Sequence, residues 1–248
     1  MRNQENMDER FSRTALIFGD EGMSRLGQSR VAVFGVGGVG GACVLALARS
    51  GIGAIDVFDD DVVSVSNINR QAIAVSATIG RAKVDVAAEI IAQINPQAVV
   101  RAHRLFYTPE SADAVELSVY DYIVDAIDTV KAKTELIVRA QAAGVPIISA
   151  MGAGNKLDPT AFEVTDISKT SVDPLARVMR RELRRRGIEH LTVVYSKEPA
   201  RTPLPDPDVE AEKGKRRSVP ASNAFVPAVA GLIAASKVIR DLADCENT

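Results

Sequence analysis

The chain has 248 residues, 46% of them hydrophobic and 25% charged, with 30 Lys and Arg against 32 Asp and Glu. That length and apolar share exclude a disordered or fibrous chain and leave one large domain or two small ones around a sizeable core. The formal charge of -2 excludes nucleic-acid binding by bulk charge alone, and two cysteines, Cys43 and Cys245, exclude a four-cysteine zinc site.

Residues 1–28 are polar and helix-capable and read as an N-terminal helical arm, with Arg10, Phe11, Arg13, Leu16, Ile17 and Phe18 at roughly helical spacing. Residues 29–248 then read as a single domain. RVAVFGVGGVGGACVLALARSGI gives a strand over Val31 to Phe34, a glycine turn and a buried helix from about Val39 to Arg49. A strand follows over Ala54 to Asp59. RAKVDVAAEIIAQIN sets Val86, Ala87, Ile90, Ile91 and Ile94 on one helical face, and Pro96 ends that helix. Strands are predicted over Ala98 to Ala102 and Ser118 to Ala126, with a helix over Val130 to Ala143 that Gly144 and Pro146 stop. VPIISAM is the next strand. Thr160 to Asp166 and Leu191 to Ser196 are two more, separated by a helix that Asp173 and Pro174 open. Lys197 to Pro220, rich in proline and charge, reads as a mobile loop, and Asn223 to Leu242 as a closing apolar helix. The alternation predicts an α/β fold, Rossmann-like, with a doubly wound, mostly parallel sheet, the N-terminal helical arm and a C-terminal extension. No stretch reaches the ~18 apolar residues of a bilayer span, and MRNQENMDER lacks a basic-then-apolar leader, so the expectation is a cytoplasmic protein with no membrane association.

GVGGVG (Gly35, Gly37, Gly38 and Gly40) matches G-x-G-x-x-G between a strand and a helix, with Asp59 ending the next strand. Such glycines let the backbone approach phosphates at a helix N-terminus, and the acid accepts from a ribose. Alone, that signature means a nucleotide, most often a dinucleotide, and leaves a nucleotide-sensing module open. DDDVVSVSNINRQ adds Asn67, Arg70 and Gln71, and Lys83 follows. Cations clustered there suit a nucleoside triphosphate, whose leaving pyrophosphate must be stabilised, better than a nicotinamide dinucleotide. Asp125 and Asp128 in IVDAIDTV stand at the end of a strand where open α/β sheets place ligands, and one of them can hold magnesium. Taken one at a time, Arg70 and Lys83 are ordinary surface charges and Asp128 a helix cap; their co-occurrence favours the site.

RFSR, GVGGVG, DDDVVSVSNINRQ, Lys83, INP and DAIDT, in this order, resemble the ubiquitin-activating-like adenylating enzymes (ThiF, MoeB and HesA types), which include the activators of thiamine and molybdopterin sulfur carriers. The resemblance implies that Gly35, Gly37, Gly38, Gly40, Asp59 and Asp61 hold ATP. It implies that Asn67, Arg70 and Lys83 contact phosphate or ribose, and that Asp128 binds Mg2+. Arg13 would reach the triphosphate of a neighbouring subunit, which implies a homodimer with shared ATP sites. The catalytic set carried over is Arg13, Arg70, Lys83 and Asp128. The chain departs from the sulfur-carrier activators in lacking two Cys-x-x-Cys pairs, so no zinc is expected, and Cys43 and Cys245 read as inert core and tail residues.

GAGNKLDPT, VTDISKT with DPLAR after it, and the closing apolar helix are similar to the branch of that family that acts on tRNA, the threonylcarbamoyladenosine dehydratases. Some members carry a cysteine near the position of Ser222 and Asn223; this chain does not. Independently, RVMRRELRRR (Arg177 to Arg186) puts six arginines and one glutamate on one predicted helix, and KGKRR (Lys213 to Arg217) adds a second basic cluster. A solvated helix face is the plain alternative. The RNA-contact set is Lys169, Arg177, Arg180, Arg181, Arg184 and Arg185, with phosphate contacts supplying affinity. The resulting expectation is an ATP-dependent enzyme that cyclises N6-threonylcarbamoyladenosine in tRNA beside the anticodon, through adenylation of the threonyl carboxylate with release of pyrophosphate and AMP. A sulfur-carrier-protein adenylyltransferase is the alternative. The partners expected are tRNA bearing the modified nucleoside, a second copy of the chain and a sulfur-transfer protein. His103 and His190 are expected to be structural.

Overall fold

Arg30–Phe34 forms β1, whose apolar residues are buried because parallel strands on both sides and helices on both faces cover it. The computed structural model describes residues 8–204 and 220–244. KGKRR and Cys245 fall outside them.

After β1 come α2 (Gly38–Arg49), β2 (Ala54–Phe58), α3 (Lys83–Ile94) and β3 (Val99–His103), preceded by α1 (Ser12–Gln28). The second half holds β4 (Tyr122–Asp125), α4 (Val130–Ala142), β5 (Ile147–Ala150), β6 (Phe162–Asp166), α5 (Pro174–Arg184), β7 (Thr192–Ser196) and α6 (Val226–Leu242). The seven strands lie in the order β3-β2-β1-β4-β5-β7-β6. All pairs are parallel except β6 with β7. The chain winds outward from β1 to β3, then returns to β4 on the other side of β1, so the strand order reverses between β1 and β4. Crevices at such reversals, beyond the carboxyl ends of the strands, are where open α/β sheets bind ligands.

Helices α2, α3 and α6 cover one face through Val44, Leu47, Ile91, Ala234 and Val238, while α4 and α5 cover the other through Leu136, Ile137, Met179 and Leu183. α6 lies close on α2 at Gly231, where a Cβ would sit 2.1 Å from the Val39 carbonyl oxygen. α1 kinks at Gly19 (φ 68) and is anchored by Leu26, fully buried, and by Arg25, which donates to the Ala243 carbonyl at 2.7 Å.

Local chemistry moves several boundaries from where the sequence pattern puts them. The strand expected from Ser118 begins at Tyr122, because Leu117–Val119 closes a 3-10 turn whose first N–H groups Glu116 caps at Ser118. Thr160 belongs to a 3-10 turn opened by Pro159 and capped by Asp158, so β6 starts at Phe162. The last helix starts at Val226 rather than Asn223, since the Asn223 Oδ1 accepts from the Val226 amide at 2.9 Å and so caps the helix from outside. Among the described residues no helix is long and apolar enough to cross a membrane.

Candidate active site

The site grows from the turn that follows β1. Gly35 adopts φ +88, and a Cβ there would lie 2.7 Å from the Ala126 carbonyl oxygen, so the residue must be glycine. Gly37 caps α2, and the N–H groups of Gly37, Gly38 and Val39 donate to no acceptor among the described residues. Three amides at the positive end of a helix dipole make a cradle for phosphate. Gly40 plays a different part from the one the family resemblance assigns it. It is buried and does not line the cavity; a Cβ there would lie 1.7 Å from the Gly35 carbonyl oxygen, so it lets the helix sit on the turn.

Asp59 is fixed from both sides, its Oδ2 accepting from the Val36 amide at 2.7 Å and its Oδ1 from the Asp61 amide at 2.9 Å. Lys83, the first residue of α3 and 5% exposed, places its ammonium 2.6 Å from Asp61 and 3.9 Å from Asp59. Arg70 is braced by the Ser66 carbonyl and the Asn69 side chain, and points its guanidinium along the same wall. Asn67 is buried, and its Oδ1 accepts from the Ser64 amide at 3.1 Å, which spends half of the amide on shaping its own turn. These residues, the glycine turn and Asp128 line one cavity of about 850 Å³ at the reversal between β1 and β4.

The two acids after β4 separate into different roles. Asp125 is fully buried and saturated: Lys133 donates to it at 2.7 Å, Ser149 at 2.6 Å and the Ile127 amide at 3.1 Å. Asp128 is exposed, lines the cavity and has no side-chain partner among the described residues, so it is a carboxylate available to a hard cation, as is Asp60 beside Asp59 and Asp61 on the same cavity.

The sequence pattern does not single out three wall residues, Lys156, Asp173 and Tyr107. Lys156 and Asp173 form an ion pair at 2.7 Å, 1% and 0% exposed, and line the same cavity. Lys156 was visible only inside the phrase GAGNK, and Asp173 only as a helix opener, which it also is, accepting from the Ala176 amide at 2.8 Å. Gln71 Oε1 and the Tyr107 hydroxyl are buried without a hydrogen-bond partner, and both residues line the cavity. Burial pushes the Tyr107 pKa up to about 12, so at neutral pH the hydroxyl is a donor. Nothing in the sequence around Tyr107 signals this.

Other residues lie outside the cavity. Arg13 is exposed on α1 and does not line it. His103 stacks on Phe58 and bonds Asp56 at 2.9 Å, and His190 meets Asp166 at 3.2 Å. Cys43 is fully buried, which pushes its thiol up to about 12 and leaves no thiolate for chemistry.

On α5, Arg177, Arg181 and Arg184 are exposed, as are Arg185 at its C-terminal cap and Lys169 before it. Arg180 differs: it is half-buried and donates to the Thr170 carbonyl at 2.9 Å, so it holds the helix to the preceding turn. Glu182 takes Arg181, Arg185 and Arg186 at 3.1 to 3.3 Å, a partial neutralisation that leaves the face strongly basic. The N-terminal residues of this helix, Pro174 and Leu175, wall the cavity, so the basic face runs outward from it.

A model of the ThiF family matches residues 11–248. The tRNA threonylcarbamoyladenosine dehydratase of Bacillus subtilis (strain 168) is 44% identical over 245 residues, 95% of each chain. Crystal structures of the Escherichia coli tRNA N6-threonylcarbamoyladenosine dehydratase, TcdA, superpose with TM-scores of 0.85 in complex with AMP and 0.83 in complex with ATP. They are 34% and 33% identical to this chain and cover 96% of it, with 96% and 95% of their own length matched.

Proposed function

The chain belongs to the ThiF family, and from that premise we propose that it is an ATP-dependent tRNA threonylcarbamoyladenosine dehydratase. The observation that carries the reading is that a phosphate cradle, Asp59, Arg70, Lys83 and Asp128 line one cavity together with the GAGNK loop and the start of the basic helix. One end suits a nucleoside triphosphate and the other opens toward an anionic polymer.

A carboxylate is a poor electrophile and must be activated. An oxygen of the threonyl carboxylate attacks the α-phosphorus of ATP, the bond to the bridging oxygen breaks, and pyrophosphate leaves. The Gly37, Gly38 and Val39 amides, Arg70 and Lys83 hold the phosphates and balance the negative charge that moves to the leaving group. Asp59 accepts from the ribose. Asp128, a wall carboxylate without a partner among the described residues, would hold a Mg2+ ion, which when bound would neutralise phosphate oxygens. A neighbouring nitrogen of the same side chain then attacks the activated carbonyl, loses its proton, and expels AMP, which carries away the oxygen of the water formally lost. Ring closure is intramolecular, so no enzyme nucleophile is required, consistent with the inert Cys43.

Arg13 completes a triphosphate site in a second copy of the chain; the exposed Leu16 and Ile17 beside it, 63% and 78% accessible, support a homodimer built on α1. Lys169 and the exposed arginines of α5 contact tRNA phosphates. The reading places the protein in the cytoplasm with its tRNA and keeps a sulfur-transfer protein as a further partner.

The test is mass spectrometry of nucleosides from tRNA carrying threonylcarbamoyladenosine after incubation with the protein, ATP and Mg2+. ATP-dependent loss of one water from that nucleoside is expected. An unchanged nucleoside overturns the reading and points to a small protein carrier as the adenylated substrate.

A further inference from the structure

The loop that follows β5 is built unlike an ordinary connection. Gly152, Ala153, Gly154 and Asn155 all line the cavity that the Gly37–Gly38 cradle also lines, and are half-buried. The amides of Gly152, Ala153 and Gly154 donate to no acceptor among the described residues. Amides turned to an open cavity and not used by the protein are free to donate to a ligand there.

The loop is also held rigidly. Gly152 and Gly154 have no room for a side chain, since a Cβ would lie 2.8 Å from Asp173 Oδ2 and 2.8 Å from Pro220 Cβ respectively. Asn155 takes the left-handed conformation (φ 61), donates its amide to the Ala221 carbonyl at 2.8 Å, and accepts from the Ala221 amide through its Oδ1 at 2.7 Å. Asparagine enters the left-handed region readily, and the two bonds to Ala221 hold it there. Behind the loop the Lys156 ammonium donates to the Gly152 carbonyl at 2.6 Å and to Asp173 at 2.7 Å. The carbonyl of the peptide that carries the Ala153 N–H is therefore bonded to a cation, which polarises that N–H toward an acceptor in the cavity.

We propose that the Gly152–Gly154 amides are the binding subsite for the substrate carboxylate, with Lys156 and Asp173 as the positioning pair that fixes and polarises the loop. The inference rests on the dehydratase reading and adds the group that holds the acyl side. A carboxylate is favoured because the loop offers three N–H donors in succession to the same cavity as the phosphate cradle, where carboxylate and α-phosphate must meet for in-line attack. No residue of the loop offers a side-chain cation, so specificity comes from backbone placement.

The experiment compares binding of tRNA carrying the threonylcarbamoyl group with the same tRNA whose carboxylate has been converted to the neutral primary amide. Both are measured in the presence of a non-hydrolysable ATP analogue. For the unaltered protein a preference for the carboxylate of about ten- to hundredfold is expected, the value of charge-assisted hydrogen bonds. A preference below about twofold overturns the proposal whatever the variants do. Two variants reach the loop by different routes: Ala153→Pro deletes one donor and touches no buried charge, and Lys156→Met combined with Asp173→Asn removes the pair without leaving a lone buried ion. Each should lose most of the preference while affinity for the ATP analogue stays within about twofold, because neither variant alters the glycine turn, Asp59, Arg70 or Lys83. Preference retained in a variant that still binds the analogue also overturns the proposal, as a purely structural pair would leave it unchanged. Failure of the unaltered protein to remove water from the nucleoside sinks the dehydratase reading separately, since the carboxylate preference is read without turnover.

Discussion

Lys133 on α4 donates to the Asp125 carboxylate at 2.7 Å with both side chains fully buried, and Ser149 on β5 bonds both of them. The pair lies beneath the cavity and fixes the turn that carries Asp128, because the second Asp125 oxygen accepts from the Ile127 amide. Removing one partner strands the other charge in the core. Lys133→Met is therefore expected to cost about 3–5 kcal/mol in chemical denaturation, whereas Lys133→Met with Asp125→Asn recovers most of it. A single variant as stable as the parent would show that the pair is dispensable.

Arg70→Ala should reduce pyrophosphate release about 10²–10³-fold with the melting temperature almost unchanged, since the guanidinium is braced only at the surface by Ser66 and Asn69. Near-normal turnover removes Arg70 from the phosphate site.

Gly40→Ala tests a packing role rather than a binding one. Its Cβ would overlap the Gly35 carbonyl, a backbone atom that cannot swing aside, so the turn and α2 must part. Destabilisation of at least about 1–3 kcal/mol is expected, accompanied by loss of ATP affinity. Unimpaired nucleotide binding in a destabilised protein would show that the cradle does not depend on this approach.

Replacing Arg177, Arg181, Arg184 and Arg185 with serine leaves Arg180 to hold α5 and removes the outward charge. Binding of tRNA should weaken, and the slope of log affinity against log salt should fall by up to about 3, at roughly 0.7–0.9 for each phosphate no longer neutralised. An unchanged slope would return the helix to a solvated face.

Asp56 gives a pH signature. Burial by itself would raise its pKa, but the hydrogen bonds from Arg30 at 2.9 Å and from His103 outweigh that, and its carboxyl is held below the usual range. A carboxyl depressed in the folded state contributes stability that is complete above the ordinary aspartate pKa and is lost as pH falls through the lower folded value. Asp56→Asn should thus flatten the acid limb of stability below about pH 4, measured by denaturation at stepped pH. An identical acid limb in the variant would place the acid sensitivity elsewhere.

Local pattern was enough to predict the parallel α/β alternation and the glycine turn after β1, and to single out Asp59, Arg70, Lys83 and Asp128, which the fold brings to one cavity. Those features depend on periodicity and on short spacings within one strand-turn-helix unit or its neighbour. The boundary errors came from caps such as Glu116 and Asn223, whose partners lie two or three residues away and compete with the apolar pattern. Which charges are spent was settled in three dimensions. Asp125 and Asp128 look alike in IVDAIDTV, yet Lys133 and Ser149, from two other elements, consume the first and leave the second free. Arg180 and its neighbours look alike on α5, yet Thr170 takes one of them out of the basic face. Lys156 and Asp173 meet across 17 residues, and Tyr107 reaches the cavity only because the segment after β3 folds back over the sheet. Pairing of buried polar groups is a matter of distance in space, and sequence spacing carries no record of it once the partners belong to different elements.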